Sequence, residues 1–173
     1  MTLILPFGSS RPTVADDAYL APNAALIGDV TIGTGSSIWF GCVLRGDMAP
    51  IRVGARVNIQ DGTIVHVSSS LGGTVIGDDV SIGHLALIHA CTLEPGSFVG
   101  MSAVVMDGSV VEAGAMVGAG ALVTPGKRIP SGQLWTGRPA RFARALTDED
   151  RAMLDHVARG YVALAAQYRA AAG

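Results

Sequence analysis

An aliphatic residue stands at every sixth position over long stretches of this chain, and no other feature constrains the fold as tightly. The first run is Val14, Leu20, Leu26, Ile32, Ile38 and Leu44. After a nine-residue step it continues through Val53, Ile59 and Val65, and after an eleven-residue step through Ile76, Ile82 and Ile88. A five-residue step leads to Leu93, Val99, Val105, Val111, Val117 and Val123, with Ile129 and Trp135 extending the count. Leu, Ile and Val make up roughly a quarter of the sequence, so six consecutive hits in one register arise by chance about once in four thousand trials. A period of six fits neither the 3.6 of an amphipathic helix nor the alternation of a long strand; it fits short strands joined by corners. Three such segments close a triangular coil of about 18 residues with the aliphatic side chains stacked inside. Gly33, Gly54, Gly77, Gly83, Gly100 and Gly118 follow the aliphatic position and are predicted to form sharp corners that use glycine's freedom at positive φ.

The predicted architecture is all-β, a parallel β-helix of hexapeptide repeats over residues 14–135, in which each coil buries its apolar edge by stacking on its neighbours. Residues 136–146 read as an exit loop and residues 147–171 as a C-terminal helix, the whole of 1–173 forming one domain. Thr147 and Asp150 have capping-box spacing, and Leu154, Val157, Tyr161, Leu164 and Tyr168 recur at intervals of 3 and 4, an apolar stripe that packs on the coil or on a neighbouring subunit. Gly160, inside that helix, costs about 1 kcal/mol relative to Ala and is read as a point of close approach to another backbone. A net charge of -2 supplies no basic face for nucleic acid or for an anionic membrane. No apolar stretch approaches the ~18 to 20 residues of a membrane span, and the start of the chain lacks a basic segment followed by a sustained apolar run, so a cytoplasmic protein is expected. Cys42 and Cys91 sit in aliphatic surroundings and are read as small buried hydrophobes rather than as a disulfide.

Polar residues gather where the repeat breaks. The breaks are RGDMAP, after Leu44, and VSSSLGG, after His66; insertions in a solenoid form loops, and loops on a rigid scaffold commonly carry chemistry. Asn58, Gln60, Asp61, His66, His84 and His89 lie between and just beyond them, and only His156 among the histidines lies elsewhere. His66 follows Val65 as His89 follows Ile88, so these two share a phase, whereas His84 stands two places after Ile82 and aims differently. A subunit interface would bring the third imidazole to the other two. Three imidazoles with a fourth position open is the arrangement of a catalytic zinc site; three independent solvent-facing or backbone-bonded histidines is the alternative that spacing alone leaves open.

The segments WFGCVLRGD, NIQDGTIVH and IGHLALIHAC, with the exit TGRPAR, resemble the gamma-class carbonic anhydrases and their gamma-carbonic-anhydrase-like relatives over almost the whole chain. The resemblance implies a left-handed coil, a handedness that periodicity does not fix, and a homotrimer. It implies that His66, His84 and His89 bind a metal, zinc or alternatively Fe2+ or Co2+, with His66 and His89 from one subunit and His84 from its neighbour. Arg45, Asp47 and Asp61 would form an ionic network across the interface. Asn58 and Gln60 would orient water or substrate, and Tyr161 matches a tyrosine that short-loop relatives place near the metal. The implied reaction is the reversible hydration of carbon dioxide to bicarbonate. Two glutamates proposed to move protons in the best-studied members have no counterpart, since Met48 stands at one position and the loop after His66 is short and neutral. That implies slow or buffer-assisted turnover. A non-catalytic assembly protein and a hexapeptide acyltransferase are the rival expectations, and metal content separates the second of these from the first reading.

Overall fold

The computed structural model describes residues 2–172. They form a parallel β-solenoid of about seven turns, consistent with a left-handed β-helix, followed by one helix. Three in-register ladders run along the coil, and the aliphatic positions of the repeat supply all of them. One ladder is Val14, Ile32, Val53, Ile76, Leu93, Val111 and Ile129. The second is Leu20, Ile38, Ile59, Ile82, Val99, Val117 and Trp135. The third is Leu26, Leu44, Val65, Ile88, Val105 and Val123. Most of these side chains are fully buried, so each coil lays one aliphatic residue per face on the next. The breaks in the repeat leave the ladders intact: the strand Val43–Val53 spans the nine-residue step, and residues after His66 loop out, closed by a bridge between Ser68 and Gly72.

Two expectations are corrected here. None of Gly33, Gly54, Gly77, Gly83, Gly100 and Gly118 has positive φ. They are required because adjacent coils touch there: a Cβ on Gly100 would lie 2.4 Å from the amide nitrogen of Ala119, and one on Gly83 2.6 Å from that of Met101. The left-handed corners fall two residues further on, as at Gly35 (φ +65°) after Gly33 and Gly120 (φ +68°) after Gly118. Residues 136–146, read as a loop, contain the strand Arg141–Ala145, which pairs antiparallel with Gln133–Thr136 and closes the last coil.

The helix α1 (Asp148–Ala172) begins with a reciprocal cap, the Thr147 amide donating to the Asp150 carboxylate (2.8 Å) and the Asp150 amide to Thr147 Oγ1 (3.2 Å). It runs back along the face that carries Tyr19–Leu20, Ser37–Ile38, Asn58–Ile59 and Ser81–Ile82. Tyr161, Ala165 and Tyr168 pack there on Tyr19, Trp39 and Phe40, and Arg169 Nη1 donates to the carbonyl of Asp17 (2.6 Å). Gly160 approaches no other backbone: a Cβ there would meet nothing within 4 Å among the described residues. Among those residues no helix is long and apolar enough to cross a membrane.

Candidate metal centre

His66 and His89 end the strands Ile64–His66 and Leu87–His89, which pair in parallel with the two histidines directly opposite. Val65 and Ile88 point into the coil, so alternation along the strand turns both imidazoles outward. His66 Nδ1 and His89 Nε2 face each other at 3.2 Å. The other nitrogen of each ring meets a carboxylate: His66 Nε2 lies 3.1 Å from Asp47 Oδ1, and His89 Nδ1 lies 2.6 Å from Asp107 Oδ1. Four side chains thus form one column along the coil axis, in the order Asp47, His66, His89, Asp107.

Asp47 also accepts a hydrogen bond from Arg45. Burial works against its charged form, but the hydrogen bonds from His66 and Arg45 outweigh burial and hold the carboxyl below its usual value. His84 is separate from the column. It occupies a corner, where its Nδ1 lies 2.8 Å from Asp61 Oδ2, so Asp61 faces a histidine rather than the Arg45–Asp47 pair of its own chain. Within the described residues of one chain no three His, Cys, Asp or Glu side chains gather as a metal site.

Leu85, next to His84, has a left-handed backbone (φ 60°) and a side chain 68% exposed. A large apolar residue in that region carries steric strain, and exposure adds to its cost. Ile64 and Met101 are exposed apolar residues of the neighbouring coils.

Asn58 and Gln60 are buried beneath α1. Asn58 Nδ2 donates to Ser81 Oγ (2.7 Å) and Gln60 Nε2 to Asn58 Oδ1 (3.0 Å), which leaves Gln60 Oε1 free to accept. Tyr161 lies edge-on to Trp39, with ring centroids 5.4 Å apart. Burial, with the Asp61 charge added, raises its hydroxyl above the ordinary tyrosine value, so the group stays protonated. Met48 is exposed at the rim of a hollow of about 260 Å³ that Asp47 also lines.

No family model matches the chain. A carbonic anhydrase from Geobacillus kaustophilus is 39% identical over 168 residues, covering 97% of this chain and 92% of that protein. The chain belongs to the gamma carbonic anhydrase family. Mitochondrial gamma carbonic anhydrase 2 of Arabidopsis thaliana is 53% identical over 169 residues, and this chain spans 60% of that longer relative. The crystal structure of a hexapeptide transferase family protein from Anaplasma phagocytophilum superposes with a TM-score of 0.93 at 49% identity, covering 96% of this chain and 98% of that one. As a member of the gamma carbonic anhydrase family, the chain brings two of its three predicted ligand histidines together and holds the third apart on a corner. Asp107 escaped sequence reasoning. Its Asp-Gly pair reads as a plain turn, and its only signal is that it stands one 18-residue coil beyond His89.

Proposed function

We propose that this protein hydrates carbon dioxide reversibly to bicarbonate at a divalent-metal site shared by two chains of a homotrimer, His66 and His89 coming from one chain and His84 from the next. The observation that carries this reading is the column of two imidazoles between two carboxylates. If each neutral ring gives its N–H to its own aspartate, His66 Nδ1 and His89 Nε2 present two lone pairs to each other at 3.2 Å. Facing lone pairs repel, and a cation relieves that repulsion. Two nitrogens bound to one tetrahedral zinc at ~2.0–2.1 Å stand about 3.3 Å apart, so the donor set fits such an ion. Charge agrees: Asp47, Asp61 and Asp107 contribute three negative charges and Arg45 one positive, leaving two for a divalent cation to balance. Imidazole suits zinc, Fe2+ and Co2+ alike.

Leu85 supports the shared site. A strained, exposed leucine beside His84, with Ile64 and Met101 near it in sequence register, is the surface a second copy would cover while His84 reaches its column. When bound, the cation supplies the acidity that makes water a nucleophile near neutral pH. The chain's own residues do the rest. Asn58, fixed by Ser81, turns Gln60 so that Oε1 accepts a proton donor and orients it, and Tyr161 offers a protonated hydroxyl. Arg45 and Asp47 hold each other and His66 in place. With Met48 and a neutral loop beside the site, protons leave to buffer.

Stopped-flow carbon dioxide hydration on anaerobically prepared, metal-quantified protein tests this, with turnover expected to rise as imidazole buffer increases. His84→Ala and His89→Ala should each strip metal, and subunit exchange between the two variants should restore part of it. Full metal in either variant overturns the shared site. The likeness to the Anaplasma transferase-family structure favours one other reading, acyl transfer from a coenzyme-A thioester, which needs a histidine base and no metal. Acyl transfer by metal-stripped protein would establish it. A fully metal-loaded trimer without either turnover would indicate a non-catalytic assembly protein.

A further inference from the structure

We infer that Asp107 is a positioning residue for His89: its carboxylate fixes the ring's tautomer and aims Nε2 at His66. The inference rests on the metal-site reading above. The contact between His89 Nδ1 and Asp107 Oδ1 is 2.6 Å, just shorter than the ~2.7–2.9 Å usual for a charge-assisted hydrogen bond from nitrogen to a carboxylate. A neutral imidazole carries one N–H. With a carboxylate, which only accepts, at Nδ1, that proton stays on Nδ1 and Nε2 keeps its lone pair. Without Asp107 the two tautomers approach parity, and the ring is free to rotate away from His66. Ligand imidazoles commonly give their second nitrogen to a carboxylate in this way, which sets ring orientation as well as basicity.

The backbone shows why Asp107 can hold this position. It stands one coil beyond His89, in a turn in which the Ser109 amide donates to the Met106 carbonyl (3.1 Å) and Gly108 takes a φ of +67°. The Gly108 amide donates to the carbonyl of Ala90 (2.7 Å), the residue after His89, and the Gly126 amide of the next coil donates to the Asp107 carbonyl (2.8 Å). Ala90 itself is held at a φ of 44° and donates its amide to the His66 carbonyl (3.1 Å). The turn that carries the carboxylate is therefore tied to the segment that carries the imidazole, and that segment to the strand of His66. Such amide bonds register other corners of the coil too, as from Gly96 to the Asp78 carbonyl (2.9 Å); what is particular to Asp107 is that the registered corner presents its carboxylate to His89.

Asp107→Ala and Asp107→Asn test the inference. In metal-free protein, 15N-edited spectra of the histidine rings should show His89 as the Nδ1–H tautomer in the parent and as a mixture in Asp107→Ala. Zinc affinity, measured by competition with a chromophoric chelator, should fall about 10- to 100-fold in Asp107→Ala and less in Asp107→Asn, whose amide oxygen still accepts. The thermal midpoint of the metal-free protein should stay close to the parent's, which separates a lost orientation from a lost fold. Asp107→Ala with parental zinc affinity and an unchanged tautomer overturns the inference. His89→Ala is the control: if it binds zinc like the parent, the metal-site reading fails, and the tautomer of His89 in metal-free protein decides the role of Asp107 by itself.

Discussion

Cys42 and Cys91 lie inside the coil as free thiols. Burial pushes Cys42 up to about 11 and Cys91 up to about 12, and Cys42 Sγ lies 3.1 Å from the carbonyl oxygen of Gln60. A thiol that stays protonated at neutral pH is neither nucleophile nor ligand, so both cysteines act as packing groups. An aromatic disulfide reagent at about pH 8 should leave the folded protein unreacted and titrate both thiols once denaturant opens it. Prompt reaction of either thiol in folded protein would contradict this burial. Residue identity told this much because an aliphatic neighbourhood is visible in sequence. Asp107 was not legible for the opposite reason: an Asp-Gly corner looks the same whether its carboxylate faces water or a histidine one coil away. The pairing of Asp61 with His84 was likewise hidden, since it joins two corners whose separation includes the looped insertion.

Among the elements, the strands were the most legible. A side chain that must land on its counterpart one coil away cannot drift, so stacking writes its period into the sequence. The glycines after the aliphatic positions were misread because two demands, positive φ and close backbone approach, select the same residue. The helix start was visible as a cap and is reinforced by Arg144, whose Nη2 donates to Asp150 Oδ1 (3.1 Å). The hydrogen bonds from Arg144 and the Thr147 amide hold the Asp150 carboxyl far below its reference value of 3.8. A depressed folded value means that its stabilisation is present above 3.8 and is lost as pH falls below it. Asp150→Asn should therefore lower the thermal midpoint at neutral pH and lose that effect in strong acid; an equal deficit at both pH values would remove the cap from the account. At Gly160 the absence of any neighbour within 4 Å leaves only helix propensity, so Gly160→Ala should stabilise the chain by about 0.8–1 kcal/mol in denaturant titrations. Destabilisation there would mean that a second chain is seated against it.

At the scale of the whole molecule, Arg45 connects the column to assembly. In one chain its side chain is 43% exposed and its carboxylate partner is Asp47. Covered by a second copy, that pair would become buried, and removing one member of a buried pair typically costs about 3–5 kcal/mol. Arg45→Ala should then dissociate at protein concentrations where the parent remains a trimer, which sedimentation would detect. An unchanged assembly with an unchanged thermal midpoint would place Arg45 outside the interface. The path of α1 has a different consequence. A bare solenoid is a stack of nearest neighbours that can fray from either end independently. Here the helix starts beside the last coil, where the Leu146 amide donates to the Gly132 carbonyl (2.8 Å), and finishes on the first coils, where Arg169 holds Asp17. The stack is closed into a loop, so loosening one end undoes contacts at the other, and the molecule should melt in a single cooperative transition. A chain cut before Asp148 should instead open coil by coil in hydrogen exchange, its ends first and the histidine column last.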